Sequence, residues 1–221
     1  MSKALVVLSG GQDSATCMAW AATMFDEVEA LCFDYGQRHV REIDSARKIA
    51  AMFDAPLTVV GVDALKNNPA SGLTSSLPVG EVDQKTSLPK SFVPGRNLIF
   101  LTSAASIALS RGITDLVTGV CQTDYSGYPD CRRETIDALE RAIGLGNAGL
   151  GSVHIHTPLM YLSKAATVAL ARRLPKAWDA VAQSWTCYEG GDKPCGVCPA
   201  CILRIKGFSE AGFDDPAICQ Y

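Results

Sequence analysis

The sequence predicts an α/β fold, a parallel sheet flanked by helices, carrying a four-cysteine site near the carboxyl terminus. Three observations lead there. Short aliphatic runs alternate with helix-forming stretches of ten residues or more, the pattern of a parallel sheet covered on both faces. The first run stops at a glycine-rich loop that opens a helix. Four of the nine cysteines crowd into residues 187–201, near the carboxyl terminus.

The elements follow in order. Ala4–Leu8 is β-branched and aliphatic throughout and reads as a fully buried strand. Asp13–Met24 is helix-forming, with Asp13 or Ser14 placed to cap its start. Val28–Phe33 is a second strand. Arg41–Phe53 spaces Ile43, Ala46, Ile49, Ala50 and Phe53 at a helical period. Pro56–Val62 is a third strand. Residues 64–93, rich in Ser, Thr, Pro, Gly and Asn, break the alternation as a lid or binding loop would. Asn97–Ser110 is a helix, Asp115–Val120 a strand, Arg132–Ile143 a helix, Val153–Thr157 a strand and Lys164–Arg172 a helix. Residues 1–180 are expected to form a nucleotide-binding α/β domain, with 181–221 a metal-binding region packed on it.

Composition narrows the class. A chain of 221 residues with 48% hydrophobic and 19% charged residues is ordinary for a globular protein. It can bury roughly 70% of its unfolded surface without disulfides. A net charge of −3 supplies no global attraction to nucleic acid. The opening apolar run is too short for a secretory signal, and no run approaches the ~20 apolar residues that span a bilayer. A cytoplasmic protein that binds neither membrane nor nucleic acid, and forms a homodimer, is expected. In that compartment thiols stay reduced, so the cysteines call for burial, metal or chemistry.

The loop Ser9-Gly10-Gly11-Gln12-Asp13-Ser14 lies between strand and helix. Glycines let backbone amides converge on an anion, Ser9 and Ser14 add hydroxyls, and the helix start carries partial positive charge. The lysine-bearing phosphate loop is absent. A tight turn without a ligand is the bland alternative. The full string resembles the pyrophosphatase loop of the ATP pyrophosphatase superfamily, which includes argininosuccinate synthetase, GMP synthetase and tRNA thiolation enzymes. That resemblance implies an adenine nucleotide alpha hydrolase-like, Rossmann-like fold, ATP held with Mg²⁺ by Leu8, Ser9, Gly10, Gly11, Gln12, Asp13, Ser14 and Phe33, and Asp13 near the metal.

Cys187, Cys195, Cys198 and Cys201 form C-x7-C-x2-C-x2-C. Four thiolates suit a closed, tetrahedral, structural Zn²⁺ site. An iron–sulfur cluster uses the same ligands, and a redox pair or plain burial are the other readings. Cys17, Cys32 and Cys219 read as core or tail residues, and Cys121 and Cys131 flank a polar loop. His154 and His156 share a strand face without a third ligand.

Four polar loops follow strand ends: Asp34–His39, Val93–Asn97, Asp124–Arg132 and Thr157–Lys164. In parallel sheets ligands gather at that edge. Taken singly, Tyr125 and Tyr128 could pack, Arg96 could pair with a surface acid, and His39 and Lys164 could be solvated. Together LSGGQDS, FDYGQRH, VPGRN, SGYPDCR, TPLMYLSKA and CGVCPAC resemble the 7-cyano-7-deazaguanine synthase family over nearly the whole chain. The resemblance implies a ligase that converts 7-carboxy-7-deazaguanine and ammonia to the nitrile with ATP, through adenylated intermediates. A tRNA-modifying thiolase or another adenylating amidoligase is the alternative. Asp13, Arg96 and Lys164 are the candidate catalytic residues. Asp124, Ser126, Tyr128, Asp130 and Arg132 are the candidates for the deazapurine.

Overall fold

The computed structural model describes residues 1–37, 41–66, 71, 73–74, 82–123, 128–189 and 191–218. Five strands, β1 Lys3–Val7, β2 Glu27–Asp34, β3 Leu57–Gly61, β4 Asp115–Val117 and β5 His154–His156, form one sheet in the order β3-β2-β1-β4-β5. All pairings are parallel: Ala4 lies beside Val28 on one side and Asp115 on the other. The strand alternation of period two sorts the core. Ala4, Val6, Ala30 and Cys32 face one layer of helices, and Leu5, Leu31 and Phe33 face the other.

The first layer contains α1 Gln12–Met24, α2 Arg41–Met52, α5 Lys164–Arg173 and α6 Ala177–Ala182. The second contains α3 Arg96–Ser110 and α4 Arg133–Gly146. A last helix, α7 Pro199–Ala211, packs along α5 and sends Phe208 into the first core, while Ala200 and Cys201 near its start belong to the second.

The expected strands and helices are present, with most ends displaced by no more than a residue or two, β4 stopping three residues early, at Val117, and α4 running three residues longer, to Gly146. Capping of α1 is a correction. The helix begins at Gln12, its N-cap is Gly11, and no side chain caps it, so Asp13 and Ser14 lie inside the first turn. Helices α6 and α7 were not expected. Of the stretch 64–93, the described part has a 3-10 turn at Asp63–Leu65 and an isolated antiparallel bridge between Val82 and Pro89. Among the described residues no helix is long and apolar enough to cross a membrane.

Candidate active site

The carboxyl ends of β1, β2 and β4 open into a cavity of about 280 Å³. It lies where the chain leaves β1 for α1 on one side and β4 for the opposite layer, the crevice that open α/β sheets use for ligands. The loop after β1 forms its floor. Ser14 Oγ donates to the Gly11 carbonyl at 3.0 Å and lies 3.1 Å from Ser9 Oγ, while the Gly11 amide donates to Ser9 Oγ at 3.3 Å. With α1 left uncapped, its first-turn amides point their partial positive charge at the cavity.

Gly10 serves the loop from behind. Its φ is +85°, and a Cβ there would stand 2.1 Å from the Glu42 carbonyl oxygen of α2. Only glycine permits that backbone approach. The Gly10 carbonyl in turn accepts from the Trp185 amide at 2.9 Å, which draws the segment before the cysteines onto the cavity rim. Gly119, after β4, is similarly tight: a Cβ would lie 3.2 to 3.3 Å from Asp13 and the Ser14 amide.

Asp13 and Lys164 meet in the cavity wall. Lys164 Nζ donates to Asp13 Oδ2 at 2.7 Å, with side-chain exposures of 14% and 28%. The other oxygen, Asp13 Oδ1, is buried with no hydrogen-bond partner among the described residues, as is Gln12 Nε2. Lys164 starts α5, capped by Ser163 Oγ accepting from the Ala166 amide, and reaches the site across Gly207 of α7. A Cβ on Gly207 would sit 2.3 Å from Lys164 Cγ.

The facing wall is aromatic with one guanidinium. Phe33 and Phe100 stack at 4.3 Å, Tyr35 tilts against Phe100, and Arg96 lies over the Tyr35 ring. Arg96 therefore faces the cavity rather than a surface acid. Tyr128 Oη is 2.7 Å from Ser91 Oγ. Burial pushes the Tyr35 hydroxyl up to about 12, and it raises Tyr128 and Tyr188 as well. Glu42, from the first turn of α2, also lines this cavity, and burial pushes its carboxyl up to about 7 against the opposing pull of Arg96.

Leu8, Ser9, Gly11, Gln12, Asp13, Ser14 and Phe33 all line the cavity, and so do Arg96, Lys164 and Tyr128. Asp130 is buried, and its Oδ2 accepts from the Asn97 amide at 3.1 Å, which holds the start of α3 in place. Arg132 stands exposed as the N-cap residue of α4 and is not part of the lining. Asp124, Ser126, Tyr125, His39 and Cys219 lie outside the described residues. Cys17 and Cys32 are buried core residues. Cys131 lines the cavity beside Asn97 Nδ2, 3.2 Å away, and its thiol is pushed up to about 12, by burial first and by Asp130 next. His156 is bonded to Asp115 at 2.7 Å and His154 lies 3.3 Å from Glu140, both away from this cavity. Lining residues that carry no sequence signal include Glu42 on an amphipathic helix, and Trp185, Thr186 and Tyr188 in an irregular stretch.

A second centre adjoins the first. The sulfurs of Cys187, Cys195, Cys198 and Cys201 lie within 4.8 Å of one another, a group that can hold a metal ion. Amides of Glu189 and Cys195 donate to Cys187 Sγ, and that of Cys198 to Cys195 Sγ, at 3.3 to 3.4 Å, as thiolate ligands require. Hydrogen bonding from Cys201 foremost holds the Cys198 thiol well below its usual range. Gly196, with φ +74°, turns the chain between ligands, and Pro199 begins α7. Helix α7 is fixed to the cavity rim by Arg204, which is buried. Its guanidinium bonds Asp215 at 2.5 and 2.8 Å, Ser184 Oγ at 2.8 Å and Thr186 Oγ1 at 2.9 Å.

The family model described as queuosine biosynthesis protein QueC matches residues 3–212. The chain is 55% identical to a 7-cyano-7-deazaguanine synthase of Chromobacterium violaceum, covering 99% of this chain and 94% of that one. It is 54% identical to the synthase of Laribacter hongkongensis, over 97% and 93% of the two chains. The synthase of Thermoplasma acidophilum is 44% identical over 97% and 90%. Among solved structures, a predicted subunit of tRNA methyltransferase from Methanocaldococcus jannaschii superposes with a TM-score of 0.52 at 17% identity, over 78% and 75% of the chains. A 4-thiouridine synthetase–RNA complex with bound ATP gives 0.51 at 17%, over 99% and 52%. U34-tRNA thiolase NcsA from Methanococcus maripaludis, with its [4Fe-4S] cluster, gives 0.50 at 17%, over 80% and 59%. These three likenesses speak for the fold alone.

Proposed function

This chain belongs to the QueC family of queuosine biosynthesis proteins, and from that premise we propose that it is an ATP-dependent ligase making 7-cyano-7-deazaguanine from 7-carboxy-7-deazaguanine and ammonia. One observation carries the chemistry. An uncapped helix start, Lys164 and an orphaned Asp13 oxygen line one side of a cavity whose opposite wall is aromatic and carries Arg96. The first group suits a polyphosphate, and the second a flat heterocycle.

A carboxylate resists ammonia because hydroxide leaves poorly. Transfer of an adenylyl group to its oxygen makes AMP the leaving group, and attack by ammonia gives the amide. A second adenylation, on the amide oxygen, allows elimination to the nitrile. The chain's residues position the partners and neutralise charge. Amides of α1 with Ser9 and Ser14 hold the phosphates, and Lys164 and Arg96 balance the charge that develops as pyrophosphate departs. The free Asp13 Oδ1 fits a Mg²⁺ ion, which when bound neutralises phosphate charge. Tyr128 and Phe33 bracket the place for the rings, and Asp124, Ser126, Asp130 and Arg132 remain candidates for recognising the base.

We assign Zn²⁺ to the four cysteines. Thiolates about 2.3 Å from a central zinc stand ~3.8 Å apart in a tetrahedron, and Cys195 and Cys201 are 3.9 Å apart. A cubane cluster, with four irons and four sulfides inside, needs its cysteines spread wider than this group allows. Four thiolates leave no open position, so the ion is structural.

The test is incubation with ATP, ammonium and 7-carboxy-7-deazaguanine, followed by nucleotide analysis and mass spectrometry of the deazapurine. AMP, pyrophosphate and the nitrile are expected. Accumulation of ADP and orthophosphate alone would sink the adenylation reading.

A further inference from the structure

The chemistry leaves a proton without a destination. When ammonia attacks an acyl adenylate the new nitrogen is cationic, and both amide and nitrile formation require protons to leave it. Ammonia is chiefly ammonium at neutral pH, and neither Arg96 nor Lys164 takes a proton while it balances phosphate charge. A side chain that takes the proton must line the cavity, be able to ionise near neutral pH and not be already committed.

The lining residues reduce to one that fits. Asp13 is committed to Lys164 through Oδ2, and its other oxygen faces the phosphate floor. Tyr35 and Cys131 are pushed up to about 12, and Tyr128 and Tyr188 are raised from the ordinary tyrosine value, chiefly by burial. Neither His154 nor His156 lines the cavity. Glu42 remains. Its backbone carbonyl abuts Gly10, so its α2 turn braces the phosphate loop from behind, and Glu42 lines the cavity together with Arg96 and Tyr35. Among the described residues its carboxylate makes no hydrogen bond or ion pair. The titratable groups that face it are Arg96 of α3, Tyr35 and Cys32 of the β2 edge, and Tyr188 before the metal ligands.

We propose that Glu42 is the proton acceptor for the reacting nitrogen. In the first round the nitrogen lone pair forms the C–N bond, Glu42 takes one proton from that nitrogen, and the C–O bond breaks with its electron pair leaving on AMP. Glu42 returns the proton to water. In the second round the nitrogen of the adenylated amide gives up its remaining protons, one to Glu42 and one to solvent, as the C≡N bond forms and AMP leaves again. A group ionising near 7 suits a base that must accept and release a proton at neutral pH. The inference rests on the ligase reading above.

The test separates adenylation from amination in Glu42→Gln and Glu42→Asp. Carboxylate-dependent ATP–pyrophosphate exchange needs no base and is expected within about threefold of wild type in both. Amide and nitrile formation by Glu42→Gln should fall by ~10²–10⁴, with Glu42→Asp keeping part of the rate. Hydroxylamine, largely unprotonated at neutral pH and a better nucleophile, should narrow the deficit in the first round. Product formation by Glu42→Gln at the wild-type rate would overturn the assignment. So would loss of exchange in step with product, which would make Glu42 a part of the nucleotide site. Wild-type protein without carboxylate-dependent exchange would bring down the ligase reading itself. If Glu42→Gln does not fold, the wild-type pH profile from the amide decides, because ammonia is then absent. A rate that falls as pH drops through about 7 supports the proposal, and a rate unchanged across that pH refutes it.

Discussion

Asp13 divides its two oxygens between two uses, Oδ2 holding Lys164 and Oδ1 left for a ligand. Asp13→Ala is therefore expected to fold, by circular dichroism, and to lose ~10²–10³ in turnover, as removal of one charge-stabilising contact does. Near-normal turnover in a folded variant would return Ser9–Ser14 to the standing of a plain turn. Glu42 shows the stability side of the same site. Burial lifts its carboxyl from 4.5 to about 7 in the folded chain. Between those values the folded state binds more protons than the unfolded one, so this group's contribution falls as pH rises through that window. Glu42→Gln removes the penalty. By urea denaturation it should be more stable than wild type at about pH 8, by on the order of 1–3 kcal/mol, with the difference gone at about pH 4. A variant less stable at the higher pH would contradict this. The local string Ser9–Ser14 was legible from sequence because six consecutive residues carry it. Glu42 was not, because what distinguishes it is the approach of Gly10 and Arg96, 32 and 54 residues away in the chain.

Helices α5 and α7 pack together, and at Gly207 a backbone without a side chain lets Lys164 through. Gly207 lies mid-helix, where alanine would ordinarily gain up to ~1 kcal/mol in helix propensity. Here a Cβ would strike the Lys164 stem, near its root and not at its flexible end. Gly207→Ala is thus expected to keep or raise thermal stability only if Lys164 is displaced, and turnover should then fall by ~10-fold or more. Unchanged turnover would show that Lys164 has another route to Asp13. The main strands and helices were readable because aliphatic runs and helical periods alternate cleanly. Helix α6 has only six residues and shows no period. Helix α7 was hidden by its own ligands, since Cys198 is its N-cap and Cys201 lies in its first turn. The same residues that announce a metal also begin a helix. In the loop offered for the base, Asp130 holds the α3 start and Tyr128 lines the cavity, two placements that sequence alone does not separate.

At the scale of the molecule the cysteine group closes the segment from Trp185 to Arg204 over the rim of the cavity. Small zinc peptides draw ~10–16 kcal/mol of folding free energy from such a site, and the sheet here should make this chain less dependent on it. Chelation, or Cys198→Ser, is expected to speed hydrogen exchange in residues 185–215 while β1 to β3 stay protected. Uniform loosening of the whole sheet would refute a local role. The strand order has a consequence for how the chain is made. β1 sits at the centre of the sheet, yet its two neighbours come from very different distances, Ala4 meeting Val28 in one and Asp115 in the other. During synthesis β1 and β2 can join early, but the remaining side of β1 stays an open, apolar edge until β4 emerges more than a hundred residues later. That closure is non-local and slow by nature, and it precedes the arrival of every cysteine ligand. The nascent chain thus carries a central strand open along one edge through half its synthesis, the interval in which a chaperone has most to protect.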